Sequence, residues 1–329
     1  HYRNKLQYPV GRDNKGNLVM GVFANRTHQI IPVENCLIQN QEAEKVAKSI
    51  FYFIKENNIS VYDENSRSGA IRHIIEKIGF KTNEIMCILV SNERKIKQEK
   101  ELVKRVVSEF QNVKTIIKNI NSKNTNVILG KENITLYGDG FIQDKLENFT
   151  FKISPMSFYQ TNPIQTEVLY NKAIEFAKLD KEDILCDLYC GIGTIGIFAS
   201  NKVKKVYGIE IVPEAVETAK ENAKINNVDN IEFIVGDVEK SFKELIEVRE
   251  IHPTAIIVDP PRRGLDATTM NEILDLEVNK FVYVSCNPAT MVRDLKMLEE
   301  KYQVKEIQPV DMFPYTNSVE CVSVLQLKN

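Results

Sequence analysis

The chain has 329 residues, 43% of them apolar and 27% charged, with 14 glycines and 11 prolines; this is globular composition and excludes a collagenous or wholly disordered chain. The formal net charge of −2 conceals a split, because residues 1–154 carry 24 Lys+Arg against 17 Asp+Glu while residues 155–329 carry 19 against 28. A basic front and an acidic back suggest a nucleic-acid-facing module joined to a catalytic one.

The length suggests two domains. No apolar run approaches the roughly 18 residues of a membrane span. The start, His1-Tyr2-Arg3-Asn4-Lys5, has no apolar core of a secretion signal and no methionine, which is expected of a piece of a longer, cytoplasmic protein. Cys36, Cys87, Cys186, Cys190, Cys286 and Cys321 are too sparse for a disulfide framework and read as reduced thiols. With only His1, His28, His73 and His252 beside them, a zinc site is not expected.

In chain order, Tyr2–Val10 and Asn17–Phe23 predict a hairpin around a turn-rich loop. Helical spacing marks Glu42–Lys55 (Val46, Ile50, Phe53, Ile54) and Gln98–Phe110. Strand-like runs lie at Ala70–Ile75, Ile85–Val90, Thr115–Ile120, Asn126–Leu129 and Ile134–Tyr137. This front part, residues 1–154, is an α+β module.

From about Pro155 helix and strand alternate. Helices are predicted at Pro163–Lys178, from the Gly191-Ile192-Gly193-Thr194 turn to Ser200, and at Pro213–Ile225, Phe242–Val248, Thr268–Leu276 and Ala289–Lys301. The strands are Ile184–Tyr189, Lys205–Glu210, Ile231–Val235, Thr254–Asp259 and Phe281–Ser285, then Val304–Val310 and Cys321–Leu327. Such alternation predicts a Rossmann-like, doubly wound α/β sheet over residues 155–329, with ligands at the carboxyl ends of its strands.

Those ends carry the chemistry. The first runs into Gly191, Gly193 and Gly196, a spacing that nicotinamide and nucleoside cofactors share. Glu210, about twenty residues on, is placed to grip both ribose hydroxyls, and Asp237 to reach an adenine amino group. An uncharged turn with an acid after each of two strands favours S-adenosylmethionine over NAD. Asp259-Pro260-Pro261-Arg262 ends the fourth strand, its prolines stiffening an exit that holds a carboxylate suited to a nucleobase edge. The fifth ends Ser285-Cys286-Asn287-Pro288, where the dipole of the following helix can favour a thiolate. Glu320, just before the last strand, becomes a candidate base when paired with Cys286.

Five ordered blocks resemble the RNA 5-methyluridine methyltransferases, in particular the 23S ribosomal RNA uracil-5-methyltransferase branch: Ser157-Phe158-Tyr159-Gln160-Thr161-Asn162, Asp187-Leu188-Tyr189-Cys190-Gly191, Asp259-Pro260-Pro261-Arg262, Ser285-Cys286-Asn287-Pro288 and Val319-Glu320. The resemblance implies a class I S-adenosylmethionine-dependent methyltransferase domain. In it Cys286 is the nucleophile, Glu320 the base, and Asp259 touches the uracil edge and borders the cofactor. Gln160, Tyr189, Glu210 and Asp237 line the cofactor pocket above Gly191, Gly193 and Thr194. It also implies an RNA partner, 23S rRNA ahead of tRNA, and a monomer. Many members hold an iron–sulfur cluster on four cysteines. Cys36 aligns with the fourth and the other three have no counterpart here, which implies either that an N-terminal piece carrying them has been cut away or that this member lacks the cluster; a cluster is expected, if at all, in a full-length form, with Cys36 as its remnant ligand, and not in this chain. The family's small N-terminal RNA-binding barrel has no counterpart either.

Competing readings are an amino-group nucleic-acid methyltransferase, which usually has an aromatic residue where this chain has Arg262, an RNA-binding module with an idle fold, and a nicotinamide-dependent dehydrogenase. Arg3, Lys5, Arg67 and Arg72 are plausible phosphate partners.

Overall fold

A computed structural model describes residues 1–328. The chain forms two compact units, His1–Lys145 with Lys152–Met156, and Leu146–Phe151 with Ser157 onwards.

The first unit is built on a seven-stranded sheet in the order β3-β2-β1-β4-β5-β6-β7. Its strands are β1 Lys5–Arg12, β2 Leu18–Phe23, β3 Ile30–Pro32, β4 Ile71–Ile78, β5 Ile85–Ser91, β6 Val113–Ile120 and β7 Glu132–Tyr137. Helix α1 (Gln41–Glu56) is fixed at its start by Asn40, whose side chain accepts from the Glu42 and Ala43 N–H groups. It lays Val46, Ile50 and Ile54 on Ile71, Ile74 and Leu89. Helix α2 (Glu99–Glu109) crosses between β5 and β6, the one parallel pair of this sheet among the described residues.

No strand forms at Asn126–Leu129, contrary to expectation. Asn121 turns its amide onto the Val127 and Ile128 carbonyls (2.7 and 2.9 Å), which removes the acceptors a ladder would need. Arg72 is not free for phosphate. It is buried, and its Nη1 donates to the Asn121 and Lys123 carbonyls, both at 2.8 Å.

After a two-stranded ribbon, β8 (Ile142–Leu146) and β9 (Phe149–Ile153), helix α3 (Pro163–Ala177) leads into the second sheet. Its strands are β10 Ile184–Leu188, β11 Lys205–Glu210, β12 Ile231–Val235, β13 Ala255–Val258, β14 Lys280–Ser285, β15 Tyr302–Val310 and β16 Glu320–Leu327. The order is β12-β11-β10-β13-β14-β16-β15, parallel except where β16 pairs with β14 and β15. Helices α4 (Thr194–Ala199), α5 (Pro213–Ile225), α6 (Val238–Glu247), α7 (Ala267–Leu276) and α8 (Pro288–Leu298) connect the parallel strands. Leu169, Phe198, Val216 and Ala219 build a core on one face, and Phe242, Met270, Ile273 and Leu295 on the other. This is the Rossmann-like doubly wound sheet of class I methyltransferases. The order reverses between β10 and β13, so a crevice opens at the carboxyl ends of those two strands.

Helix α6 starts four residues earlier than the apolar spacing predicts. Asp237 accepts from the Glu239 N–H (3.1 Å) and caps it. Among the described residues no helix is long and apolar enough to cross a membrane.

Candidate active site

Every residue of the site lies in the second unit, at the edge where the parallel strands end. The register pairs Leu188 with Ile209 and Val258, Val258 with Tyr283, and Ser285 with Cys321. Residues one step beyond those pairs share that edge. Because β14 and β16 run antiparallel, one step past Ser285 and one step before Cys321 places Cys286 opposite Glu320. Asp259 leaves the neighbouring strand β13 one step past the Val258–Tyr283 pair, level with Val284 and two residues short of Cys286.

The three groups are electrostatically joined. Glu320 is 2% exposed and its Oε2 has no hydrogen-bond partner. Burial, then the charge of Asp259, pushes its pKa up to about 8, with Arg262 pulling the other way. Burial raises Asp259 to about 6. The half-buried Cys286 thiol is also raised, by desolvation first and then by Glu320 and Asp259, against a smaller opposing pull from Arg262. The expected lowering by the α8 dipole is therefore outweighed. A thiol flanked by two carboxylates and one cation stays protonated until the local charge changes.

The loops that carry these groups are tied together. Asn287 Nδ2 and Thr290 Oγ1 donate to the Arg262 carbonyl (3.2 and 3.1 Å). Buried Asp294 accepts from the Leu265 N–H (2.8 Å) and the Tyr283 hydroxyl (2.7 Å). Asn162 caps α3 and donates through Nδ2 to the Met312 carbonyl (3.0 Å), linking the buried Gln160 stretch to the segment that leads into Glu320.

Along the edge, the β10 turn is held by Glu210, whose Oε2 accepts from the Gly191 N–H (3.1 Å) and Oε1 from the Val212 N–H (2.9 Å). Gly191 has φ +55° and open space where a Cβ would point, whereas a Cβ on Gly193 would lie 2.6 Å from Phe233. Tyr189 adopts a left-handed φ of 66°, and its hydroxyl donates to Asp266 Oδ2 at 3.3 Å. Thr194 is buried, with its hydroxyl paired to that of Tyr170 at 3.0 Å. Asp237 is exposed beyond its role as a cap.

Two contributors escaped the sequence reading. Asp187, fully buried, accepts from the Gly196 N–H (2.8 Å), and burial opposed by that bond lifts it to about 8. Ile211, 58% exposed directly after Glu210, offers an apolar surface at the same edge. An aspartate inside an otherwise apolar strand was a signal for the first; nothing in the local pattern marked the second.

Cys36 stands apart, half-buried in the first unit, its N–H donating to Glu44 Oε1 at 3.0 Å. Among the described residues no three Cys, His, Asp or Glu side chains gather to hold a metal ion.

A family model described as tRNA (Uracil-5-)-methyltransferase matches residues 1–328. A protein of Clostridium tetani described as an uncharacterized RNA methyltransferase is 47% identical over 325 residues, covering 98% of this chain and 70% of that protein. Another so described, from Oceanobacillus iheyensis, is 45% identical over 330 residues, covering 100% of this chain and 72% of its own length. Among solved structures, Pyrococcus abyssi tRNA (uracil-54, C5)-methyltransferase in complex with S-adenosyl-L-homocysteine aligns at a TM-score of 0.80 and 29% identity, over 98% of this chain and 76% of that one.

Proposed function

We propose that this chain, which belongs to the tRNA (Uracil-5-)-methyltransferase family, methylates carbon 5 of a uridine in RNA, with Cys286 as nucleophile, Glu320 as base and S-adenosylmethionine as methyl donor. The observation that carries this reading is the placement of Cys286 opposite Glu320 with Asp259 beside them.

The donor fits the residues present. Gly191 leaves space above a tight turn, Glu210 is held beside it for ribose hydroxyls, Ile211 offers an apolar wall, and the acidic edge suits a cation. Gln160, Tyr189, Gly193, Thr194 and Asp237 complete the lining in this proposal. When bound, S-adenosylmethionine supplies an electrophilic methyl group on a sulfonium.

Carbon 5 of uracil is a weak nucleophile. Cys286, as thiolate, forms a bond to carbon 6, and the electron pair of the 5,6 double bond moves to carbon 5 and the 4-carbonyl. Asp259 holds the ring by its N3 edge. Once carbon 5 bears both methyl and hydrogen, Glu320 takes the proton. The electrons restore the double bond, and the carbon–sulfur bond breaks to return the thiolate. A base poised near neutrality suits that step, and burial supplies it. The target base must leave its stack, which favours a loop or an opened segment of RNA.

For the RNA, we propose 23S rRNA, the target of the branch whose motif blocks this chain resembles. The second reading is tRNA, favoured by the likeness to the Pyrococcus abyssi enzyme. Transcripts of both containing 5-fluorouridine decide between them, because fluorine cannot leave as a proton and the substrate stays bonded to Cys286. A denaturation-resistant complex with one transcript and not the other assigns the target. No such complex with either, or full activity in Cys286→Ala, would refute the mechanism and point to amino-group methylation. The basic first unit is proposed to face the RNA.

A further inference from the structure

A cleft of about 300 Å³ opens in the first unit between β1, β2, the 61–65 loop and β4. Its walls are aromatic. The Phe23 ring stacks on His28 (centroids 5.4 Å apart, 28° between planes) and meets His73 edge-on at 6.1 Å. Tyr62 stands in the same cleft with the Arg72 guanidinium 4.4 Å over its ring. His73 is only 7% exposed, yet neither ring nitrogen has a hydrogen-bond partner. Burial and the neighbouring Arg72 lower its pKa to about 4, so the imidazole is neutral and carries one N–H donor and one lone pair. Buried polar atoms are ordinarily partnered; His73 lines the cleft while both its nitrogens are idle and closed to solvent, so a modest turn of the ring toward a polar ligand there would give one of them a partner.

The chemistry of that ligand follows from the lining. Asp63 and Glu64 also line the cleft, and Glu64 is paired with His28. Arg12 and Arg72 line it too, but they are turned onto the Gly16, Asn121 and Lys123 carbonyls, so the lining carries no excess positive charge for a phosphate, while stacked rings and a neutral donor–acceptor group suit a flat, uncharged heterocycle.

We propose that this cleft receives one unstacked base of the RNA substrate, distinct from the methylated uridine, stacked on Phe23 and hydrogen-bonded by His73. The proposal rests on the reading of this chain as an RNA methyltransferase. A base captured here helps hold open the segment from which the target is drawn, in the way single-stranded RNA is read on aromatic side chains.

The test uses the full chain and whichever transcript the wild type methylates, with single abasic nucleotides placed in turn around the target. Binding is read by fluorescence anisotropy. One abasic position outside the target is expected to weaken wild-type binding about tenfold and to have no further effect in Phe23→Ala or His73→Leu, while Phe23→Tyr keeps the wild-type pattern. Irradiation at 254 nm is expected to link that nucleotide to the peptide containing Phe23 or Tyr62. Phe23→Leu serves if the alanine variant unfolds, since it keeps bulk and loses the ring. Abasic losses equal in wild type and variants, or crosslinks confined to other peptides, overturn the cleft proposal while methyl transfer by the wild type leaves the enzyme reading standing. Failure of the wild type to make 5-methyluridine in either transcript overturns both.

Discussion

Glu320→Gln is expected to strengthen folding at neutral pH while stopping turnover. The carboxyl is buried, one oxygen is unpartnered, and its pKa stands at about 8 against an ordinary 4.5. An acid raised in this way binds its proton more tightly in the folded chain than in the unfolded one. Its contribution is therefore most favourable below pH 4.5 and is lost as pH rises towards 8. Each tenfold in proton affinity is about 1.4 kcal/mol, so the whole span sets a ceiling of about 5 kcal/mol, of which about 3 kcal/mol is expressed by pH 7. Glutamine has no charge to desolvate but brings N–H donors that need partners, at a cost of about 1–2 kcal/mol. The variant should thus be about 1–2 kcal/mol more stable than wild type at pH 7, more so at pH 8, and no more stable at pH 5. Urea unfolding followed by circular dichroism at the three pH values measures this. In the methylation assay, the methylated RNA should stay bonded to Cys286 and run as a denaturation-resistant band. A stability difference that is flat from pH 5 to pH 8, or 5-methyluridine released at the wild-type rate, would refute the role given to this carboxylate.

The raised Cys286 thiol should react with iodoacetamide more slowly than free cysteine at pH 7.5. At pH 9, where Glu320 is mostly ionised, Glu320→Gln should speed the reaction by removing a like charge, and S-adenosylmethionine, a cation, should speed it where neutral S-adenosylhomocysteine does not. Equal rates with the two ligands would count against electrostatic control of the thiol. Asp187, raised to about 8 and accepting from Gly196, should tolerate Asn within about 1 kcal/mol. Asp187→Ala, which orphans a buried N–H, should cost about 2–4 kcal/mol; thermal unfolding at pH 7 compares the two variants. Gly193→Ala should cost about 3 kcal/mol in the same measurement, since φ is +81° and the new methyl would meet Phe233 at 2.6 Å.

The two sheets differed in how far they could be read from sequence. In the second, each strand's apolar run ends on a residue with a chemical reason to be there, and period and punctuation coincide at Asp187–Gly191, Glu210 and Asp259. Where one residue does two jobs the reading slipped: Asp237 looked like a strand terminus facing a ligand, and it is also the cap that starts α6 early. In the first sheet the errors came from side chains competing with the ladder. Asn121 takes the carbonyls of residues 127 and 128, and Arg72 takes two more, so an apolar run and a basic residue both ended up serving a loop.

The thiol–carboxylate pair was legible only as two suspects. Cys286 and Glu320 are far apart in sequence, and only the antiparallel return of β16 along β14 makes them face each other. The direction of the thiol's pKa was not legible at all. A helix start follows from spacing, but the burial and the two carboxylates that outweigh it are sums over neighbours drawn from three strands. The aromatic cleft has the same origin. Phe23, Tyr62 and His73 come from a strand, a loop and another strand, and each alone would pass for an ordinary core or surface residue. Local pattern thus placed the strand ends, and the register between strands decided which chemical groups meet there. For that reason the strongest tests act on pairs, Glu320 with Cys286 and Phe23 with a single RNA base, where a contact inferred from tertiary placement has a measurable coupling.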